Sequence, residues 1–358
     1  MDIIGAPIGR QTSHYLDDWY GQPQSLIRSA QALEDQWSTV AAAGAWLRQC
    51  RTILIAGIGS SYHASLALEA YLAAHGIIAK AIDAAELLYL HPLPPDTGVI
   101  IASRSGESVE VVKLCERCRE LNVPIAAITN TPDSTLAVNA RSTIELRTDF
   151  DHLISLRMYS GLVQALLVLG SAICDSDATP PTALLIQAWQ AVEARLDDWH
   201  RAVHASDFYG PGGVYYALGR GGSLASAYEA RLLMEECGKT GAAALTTGGF
   251  RHGPQEAIDG RFRGMVWLSQ HEQLRAYDLD LALSIVQNGG RCLVVGQDLA
   301  ALDADLLPLE IPAIASDFQP IIDIVPLQIG AYEQAMRGGK DPDTFTICPY
   351  VIRTEGAL

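Results

Sequence analysis

The sequence predicts an α/β protein made of two copies of one three-layer unit, each a parallel sheet with helices on both faces. Three observations carry this. Short apolar runs alternate with helical patterns of about 10–15 residues, as βαβ crossovers require. The alternation stops at the polar, proline-containing stretch Asp175 to Pro181 and then restarts. Three landmarks also recur at a nearly constant offset, each where a strand ends. Gly57-Ile-Gly59-Ser-Ser61 is echoed by Gly219-Arg-Gly221-Gly-Ser223, Ser103-Arg104 by Ser269-Gln270, and Thr129-Asn130 by Gly296-Gln297. Such self-similarity implies an internal duplication, with ligands at the carboxyl edge of each sheet.

In chain order, Tyr15 to Leu26 reads as helix with a break at Gln22-Pro23, and Ala30 to Gln49 as an amphipathic helix. Thr52 to Ala56 is a buried strand, Ser61 to His75 a helix closed by Gly76, and Ile77 to Ile82 a strand. Gly98 to Ala102 and Pro124 to Thr129 are strands on either side of a helix from Ser108 to Leu121. Asp151 to Asp175 is a long apolar helical stretch, followed after the break by a helix from Leu184 to His204. The second round gives strands Gly213 to Leu218, Gly264 to Ser269 and Arg291 to Val295, with helices Ser223 to Cys237 and Ala276 to Asn288 between them. The boundaries expected are a helical segment 1–50, units 51–178 and 179–335, and a C-terminal tail 336–358.

Composition narrows the function. The chain of 358 residues is 49% hydrophobic and 18% charged, which excludes a disordered, collagen-like or coiled-coil protein. Its 25 Lys and Arg against 41 Asp and Glu give a formal charge of −16, with no basic patch, so neither nucleic acid nor an anionic membrane is an expected partner. No stretch reaches the ~18 apolar residues of a membrane span, and Met1 to Arg10 carries no signal-peptide pattern. The 7 cysteines are odd in number and scattered, which suits reduced thiols in a cytoplasm. Cys115-Glu-Arg-Cys118 lacks the second ligand pair of a metal site and the strand-to-helix start of a redox motif.

Three constellations carry chemistry. Gly59-Ser60-Ser61-Tyr62 and Ser103-Arg104-Ser105-Gly106-Glu107-Ser108 both sit where a strand gives way to a helix. First-turn N–H groups, the positive end of the helix dipole and serine hydroxyls together make an anion cradle that needs no lysine, and a phosphate monoester fits it. Simple helix capping is the competing explanation of any one serine. A dinucleotide fold would place glycine where Tyr62 stands. In the helix after Ser223, Glu229, Leu232, Leu233 and Glu236 share one face. A carboxylate set inward there would be desolvated, its pKa raised toward the range of a general base, unless Glu235 and Glu236 are simply solvated. Thr246 to Pro254 places His252 between glycine-rich turns, in a loop where function concentrates.

Taken in order, GSSYHA, SRSGES, YEARLLMEECGKTGA and FRHGP resemble the sugar isomerase (SIS) domain family, and within it the isomerase half of glucosamine-6-phosphate synthase and stand-alone relatives with two SIS domains. The likeness runs from Tyr20-Gly21-Gln22-Pro23 to the C-terminal tail. It implies two flavodoxin-like αβα domains, a tail closing over the site, and no cofactor or metal. It also implies that Ser61, Ser103, Ser105 and Ser108 hold a sugar 6-phosphate, with Arg104 where the synthase has glutamine. Gly59, Ser60 and Ser155 then lie near the sugar. Glu236 matches the glutamate that moves a proton between C1 and C2, and His252 the histidine that assists ring opening from the neighbouring subunit of a homodimer.

The departures shape the expected activity. No glutaminase segment or cysteine stands near Met1, so ammonia is not expected to come from glutamine. Leu233 occupies the place of a helix lysine, and Tyr350 falls near the place of a C-terminal imine-forming lysine. Lys239 and Lys340 are the nearest lysines and neither matches, so an imine with the chain is not expected. The expectation is aldose–ketose isomerisation of an amino sugar 6-phosphate coupled to loss of ammonia. The alternatives are a deglycase of a 6-phosphorylated sugar–amino acid adduct, with Arg104 taking a substrate carboxylate, and a non-catalytic sugar-phosphate sensor.

Overall fold

A computed structural model describes residues 13–300, 302 and 305–354. The described residues begin with helices α1 (His14–Asp35) and α2 (Trp37–Leu47). The first αβ unit follows: β1 (Thr52–Gly57), α3 (Ser60–Ala74), β2 (Ala79–Asp83), α4 (Ala84–Tyr89), β3 (Thr97–Ala102), α5 (Val109–Glu120), β4 (Ile125–Thr129), α6 (Thr135–Asn139) and β5 (Ser142–Glu145). Three helices, α7 (Arg157–Cys174), α8 (Thr182–Glu193) and α9 (Leu196–Ala205), lead to the second unit. That unit comprises β6 (Val214–Gly219), α10 (Ser223–Glu236), β7 (Ala242–Thr246), α11 (Thr247–Phe250), β8 (Phe262–Trp267), α12 (Glu272–Gln287), β9 (Arg291–Gly296), β10 (Leu306–Glu310) and α13 (Val325–Arg337).

Both sheets have five parallel strands. The first runs β2-β1-β3-β4-β5 and the second β10-β9-β8-β6-β7, so each follows the 2-1-3-4-5 order of a doubly wound fold. In such a sheet the strand order reverses beside the first strand, which opens a crevice at the carboxyl ends of the first and third strands. The turns after β1 and β3 are therefore neighbours by topology.

The main core lies between the two sheets. Helix α3 packs on both α7 and α10, and α1 and α13 cover their flanks. By length and composition α7 could cross a membrane, contrary to the expectation that no stretch reaches that length, but 83% of it is buried inside the fold, as befits a central core helix. It begins at Arg157 rather than Asp151, because the Asp151 carboxylate accepts from the amides of Leu156, Arg157 and Met158 at 3.0 Å each and caps the first turn. That cap leaves 152–156 as a loop.

Other boundaries also move. α1 runs through Pro23 without breaking, because Trp19, Gln22, Pro23, Ser25 and Leu26 are all buried and packing holds the helix across the missing N–H. The break comes at Gln36, whose side chain bonds Ala32 O and both the amide and carbonyl of Glu145 on β5. The single helix expected from Leu184 to His204 is two, α8 and α9. The edge strands β5, β7 and β10 lie outside the expected strands: β5 and β7 are polar or alanine-rich, and β10 carries Pro308, so none shows the apolar β-branched pattern of a central strand.

The two carboxyl edges are not equivalent, which corrects the expectation of a ligand at each. Gly59 and Gly221 share a φ of 55° and head the same kind of turn. In the second unit, however, a 3-10 segment (Ser316–Ile321) fills the crevice. A Cβ on Gly222 would lie 2.5 Å from Pro320 Cγ, Ser223 Oγ donates to Asp323 at 2.7 Å, and Gln270 Nε2 donates to Gln319 Oε1 at 2.7 Å. The first crevice remains open.

Candidate active site

The open crevice is a cavity of about 320 Å³ at the switch point of the first sheet. Its floor is the turn from β1 to α3. Gly57 is obligatory there, since a Cβ would stand 2.4 Å from the Ser61 carbonyl carbon, and Gly59 adopts positive φ to start the helix. This brings Gly59, Ser60 and Ser61 to the wall. The turn after β3 supplies Ser103, Arg104, Ser105 and Ser108. Gly106 has φ 64°, and a Cβ there would meet Ser134 Oγ at 2.2 Å. Ser103 Oγ accepts from Gly106 N at 3.1 Å and Ser105 Oγ from Glu107 N at 3.2 Å, so both hydroxyls keep their protons to donate elsewhere. Ser108 precedes α5 in extended conformation and its side chain makes no capping bond. Ser61, Ser103, Ser105 and Ser108 and two helix starts thus line one space, a set of donors suited to a phosphate.

The same cavity is lined by Glu236, at the end of α10, and by Leu232, Leu153 and Leu162. Burial pushes its carboxyl up to about 7, reinforced by the negative charge of Glu229 and opposed by Lys239 and Arg104. A carboxyl of that affinity exchanges protons near neutrality. The face expected from the sequence is present: Glu229 and Leu233 are buried deeper, while Leu232 and Glu236 reach the cavity. Lys239 does not line the cavity. Its ammonium donates to the carbonyls of Glu236 and of Thr344, the latter at 2.7 Å.

The C-terminal tail roofs the cavity with Phe345 and residues 348–352. The Arg104 guanidinium lies 4.0 Å above the Tyr350 ring and donates from Nη2 to the Tyr350 carbonyl at 3.0 Å. Val109 N donates to Ile352 O at 3.3 Å. Asp343 anchors the start of the tail by accepting from Tyr15 N at 2.7 Å and His14 N at 3.0 Å.

The cavity thus gathers Gly59, Ser60, Ser61, Ser103, Arg104, Ser105, Ser108, Ser155, Glu236 and Tyr350. It does not include His252, which is exposed on the turn after α11 and outside this wall. Sequence reasoning missed Phe345, Val351 and Ile352 of the roof, Glu110 beside the cradle, and His63 beneath it. Cys115 and Cys118 are core residues whose thiols burial pushes up to about 12. Among the described residues no cluster of three or more His, Cys, Asp or Glu could hold a metal.

Comparison with known proteins agrees with the fold. Residues 46–174 match the SIS domain. The chain is 28% identical to the isomerizing glutamine–fructose-6-phosphate aminotransferase of Pyrobaculum aerophilum, over 92% of this chain and 55% of that protein. It therefore spans about half the length of the curated relatives it matches. Among solved structures it is similar to the C-terminal domain of glucosamine-fructose-6-phosphate aminotransferase from Francisella tularensis, with TM-score 0.82 and 19% identity over 93% of this chain and 99% of that one. It is also similar to glucosamine-6-phosphate deaminase from Thermotoga maritima, with TM-score 0.78 and 18% identity over 95% and 99%.

Proposed function

The chain belongs, through residues 46–174, to the SIS-domain family, and from that premise we propose an enzyme that isomerises an amino sugar 6-phosphate and releases its nitrogen as ammonia. The observation that carries this reading is one cavity lined both by a hydroxyl-and-amide cradle and by Glu236, whose carboxyl burial raises to about 7.

In this mechanism the phosphate monoester sits among Ser61, Ser103, Ser105 and Ser108, and so fixes the far end of the open-chain sugar. Such anchoring contributes several kcal/mol where the reacting atoms are well aligned. Glu236, as carboxylate, takes the C2 proton while the C1 carbonyl oxygen gains one, giving an enaminol. Glu236 then returns its proton to C1, leaving an imine at C2. Water hydrolyses that imine to fructose 6-phosphate and ammonia, so amino sugar plus water balances against the two products. No lysine of the chain takes part. General acid–base help of this kind is worth about 10²–10⁴ in rate. His252 opens the ring from a second copy of the chain, as the resemblance implies, and a homodimer follows from that role.

The test is solvent deuterium. With glucosamine 6-phosphate in D₂O, the protein should wash label into the C1 position of the product and release ammonia, and Glu236→Gln should slow both by about 10²–10⁴. Tight binding without exchange or ammonia would turn the reading to a sensor. A second reading rests on Arg104, whose cation lies at the cavity wall and would pair with a substrate carboxylate. If fructoselysine 6-phosphate yields free lysine and glucosamine 6-phosphate yields no ammonia, the protein is a deglycase.

A further inference from the structure

Ser60 on the cavity floor joins two buried residues beneath it in a trio that takes no chemical step in the proposed reaction. The Glu229 carboxylate, 1% exposed, comes from α10, and Ser60 and His63 come from the first turn of α3. Ser60 Oγ donates to Glu229 Oε1 at 2.9 Å, and His63 Nδ1 lies 2.8 Å from Oε2. His63 is itself buried, at 3% exposure. Both carboxylate oxygens therefore have fixed partners, on an element from the other half of the molecule.

The consequence concerns the polarity of Ser60. A serine hydroxyl has one proton and two lone pairs, whereas a carboxylate can only accept. With its proton committed to Glu229, Ser60 presents only lone pairs to the cavity it lines. Ser103 and Ser105 are the reverse case, since each accepts a backbone amide and keeps its proton. The turn after β3 thus donates, as a phosphate needs, while Ser60 on the floor accepts.

We propose that Glu229 is a specificity-determining positioning residue: by holding the Ser60 proton it makes Ser60 an acceptor that selects a sugar carrying an O–H or N–H donor at C1 or C2. This deepens the reading of the cavity as a sugar 6-phosphate site and rests on it. His63 keeps the Glu229 carboxylate aimed, so the selection is set by two residues that do not themselves line the cavity. The same Glu229 charge raises the proton affinity of Glu236, so the group that reads the donor also tunes the base.

The test measures binding by calorimetry for glucose 6-phosphate and its analogues with fluorine at C1 or at C2. Fluorine keeps the size but cannot donate. The wild-type protein should bind at least one of the fluoro analogues about tenfold more weakly than the parent, the scale of one lost hydrogen bond. In Glu229→Gln the new amide donates to Ser60, Ser60 regains its proton for the cavity, and the gap should shrink to about twofold or less. Ser60→Ala should close it as well while leaving inorganic phosphate binding within about twofold, and it decides the matter if Glu229→Gln does not fold. His63→Asn, which can still donate to Glu229, should retain more of the gap than His63→Leu. A gap that survives Ser60→Ala, or wild-type protein that binds all three sugars alike, overturns the inference while leaving the phosphate site standing. Failure of the wild-type protein to bind any of the sugars overturns the reading of the cavity, and this inference with it.

Discussion

Glu236→Gln tests the site through stability as well as through rate. Burial and the neighbouring Glu229 raise the Glu236 carboxyl from an ordinary 4.5 to about 7. At about 1.4 kcal/mol per tenfold change in acidity, the fold disfavours the ionised form by about 3 kcal/mol, an upper figure for a side chain that reaches a cavity. The folded protein holds this proton to higher pH than the unfolded chain does. Stability therefore falls as pH rises from about 4.5 to about 7 and levels off above that. Glutamine has no proton to lose. Thermal unfolding of wild type and Glu236→Gln should nearly coincide at pH 4.5 and diverge toward pH 8, where the variant is more stable by about 1–3 kcal/mol, or a few degrees in Tm. Over the same range wild-type kcat/KM should rise with a midpoint near 7, while the variant loses about 10²–10⁴ in rate. Lys239→Met removes a cation that favours the carboxylate, so its midpoint should move upward. A stability difference that does not change with pH, or a rate midpoint near 4.5, would show that Glu236 is solvated and refute the reasoning.

Three further outcomes follow from the geometry. Gly106→Ala forces a side chain into positive φ and onto Ser134 Oγ, so it should lose glucose 6-phosphate binding by calorimetry and about 1–3 kcal/mol in denaturant unfolding. Arg104→Ala frees Tyr350 of the tail from the turn after β3, and hydrogen exchange of residues 345–352 should quicken while the amides of β1 and β3 stay protected. If His252 serves the neighbouring copy, mixing inactive Glu236→Gln and His252→Ala proteins should restore about a quarter of wild-type activity, since half the random pairs are mixed and each has one intact site; no recovery would place both groups in one chain's site.

Much of the cradle is legible in the sequence because its residues announce themselves locally. Gly57, Gly59 and Gly106 mark turns, and the serines after them sit at helix starts, so spacing alone brings Ser61, Ser103, Ser105 and Ser108 to one sheet edge. Glu236 is readable from helical periodicity, which places it on a face with Glu229 and Leu233. What escaped the sequence depends on distant contacts. His63 meets Glu229 across two halves of the chain, and nothing local distinguishes it from any helical histidine. The roof residues Val351 and Ile352 follow a tail with no periodic pattern. The helix at Pro23 and the cap at Asp151 show tertiary packing and a side-chain bond overriding local propensity.

The duplicated architecture hides a division of labour. In the second half, the segment that stoppers the twin of the crevice also reaches across to its sibling: Phe318 rests edge-on against Tyr71 with ring centroids 5.9 Å apart, and Asp317 lies 3.6 Å from His75 Nε2. A place that symmetry would have given to a second guest serves instead as a rivet between the repeats. Titration should accordingly reach equivalence at a single sugar phosphate per chain, and loosening the rivet should weaken the union of the halves before it creates any new capacity.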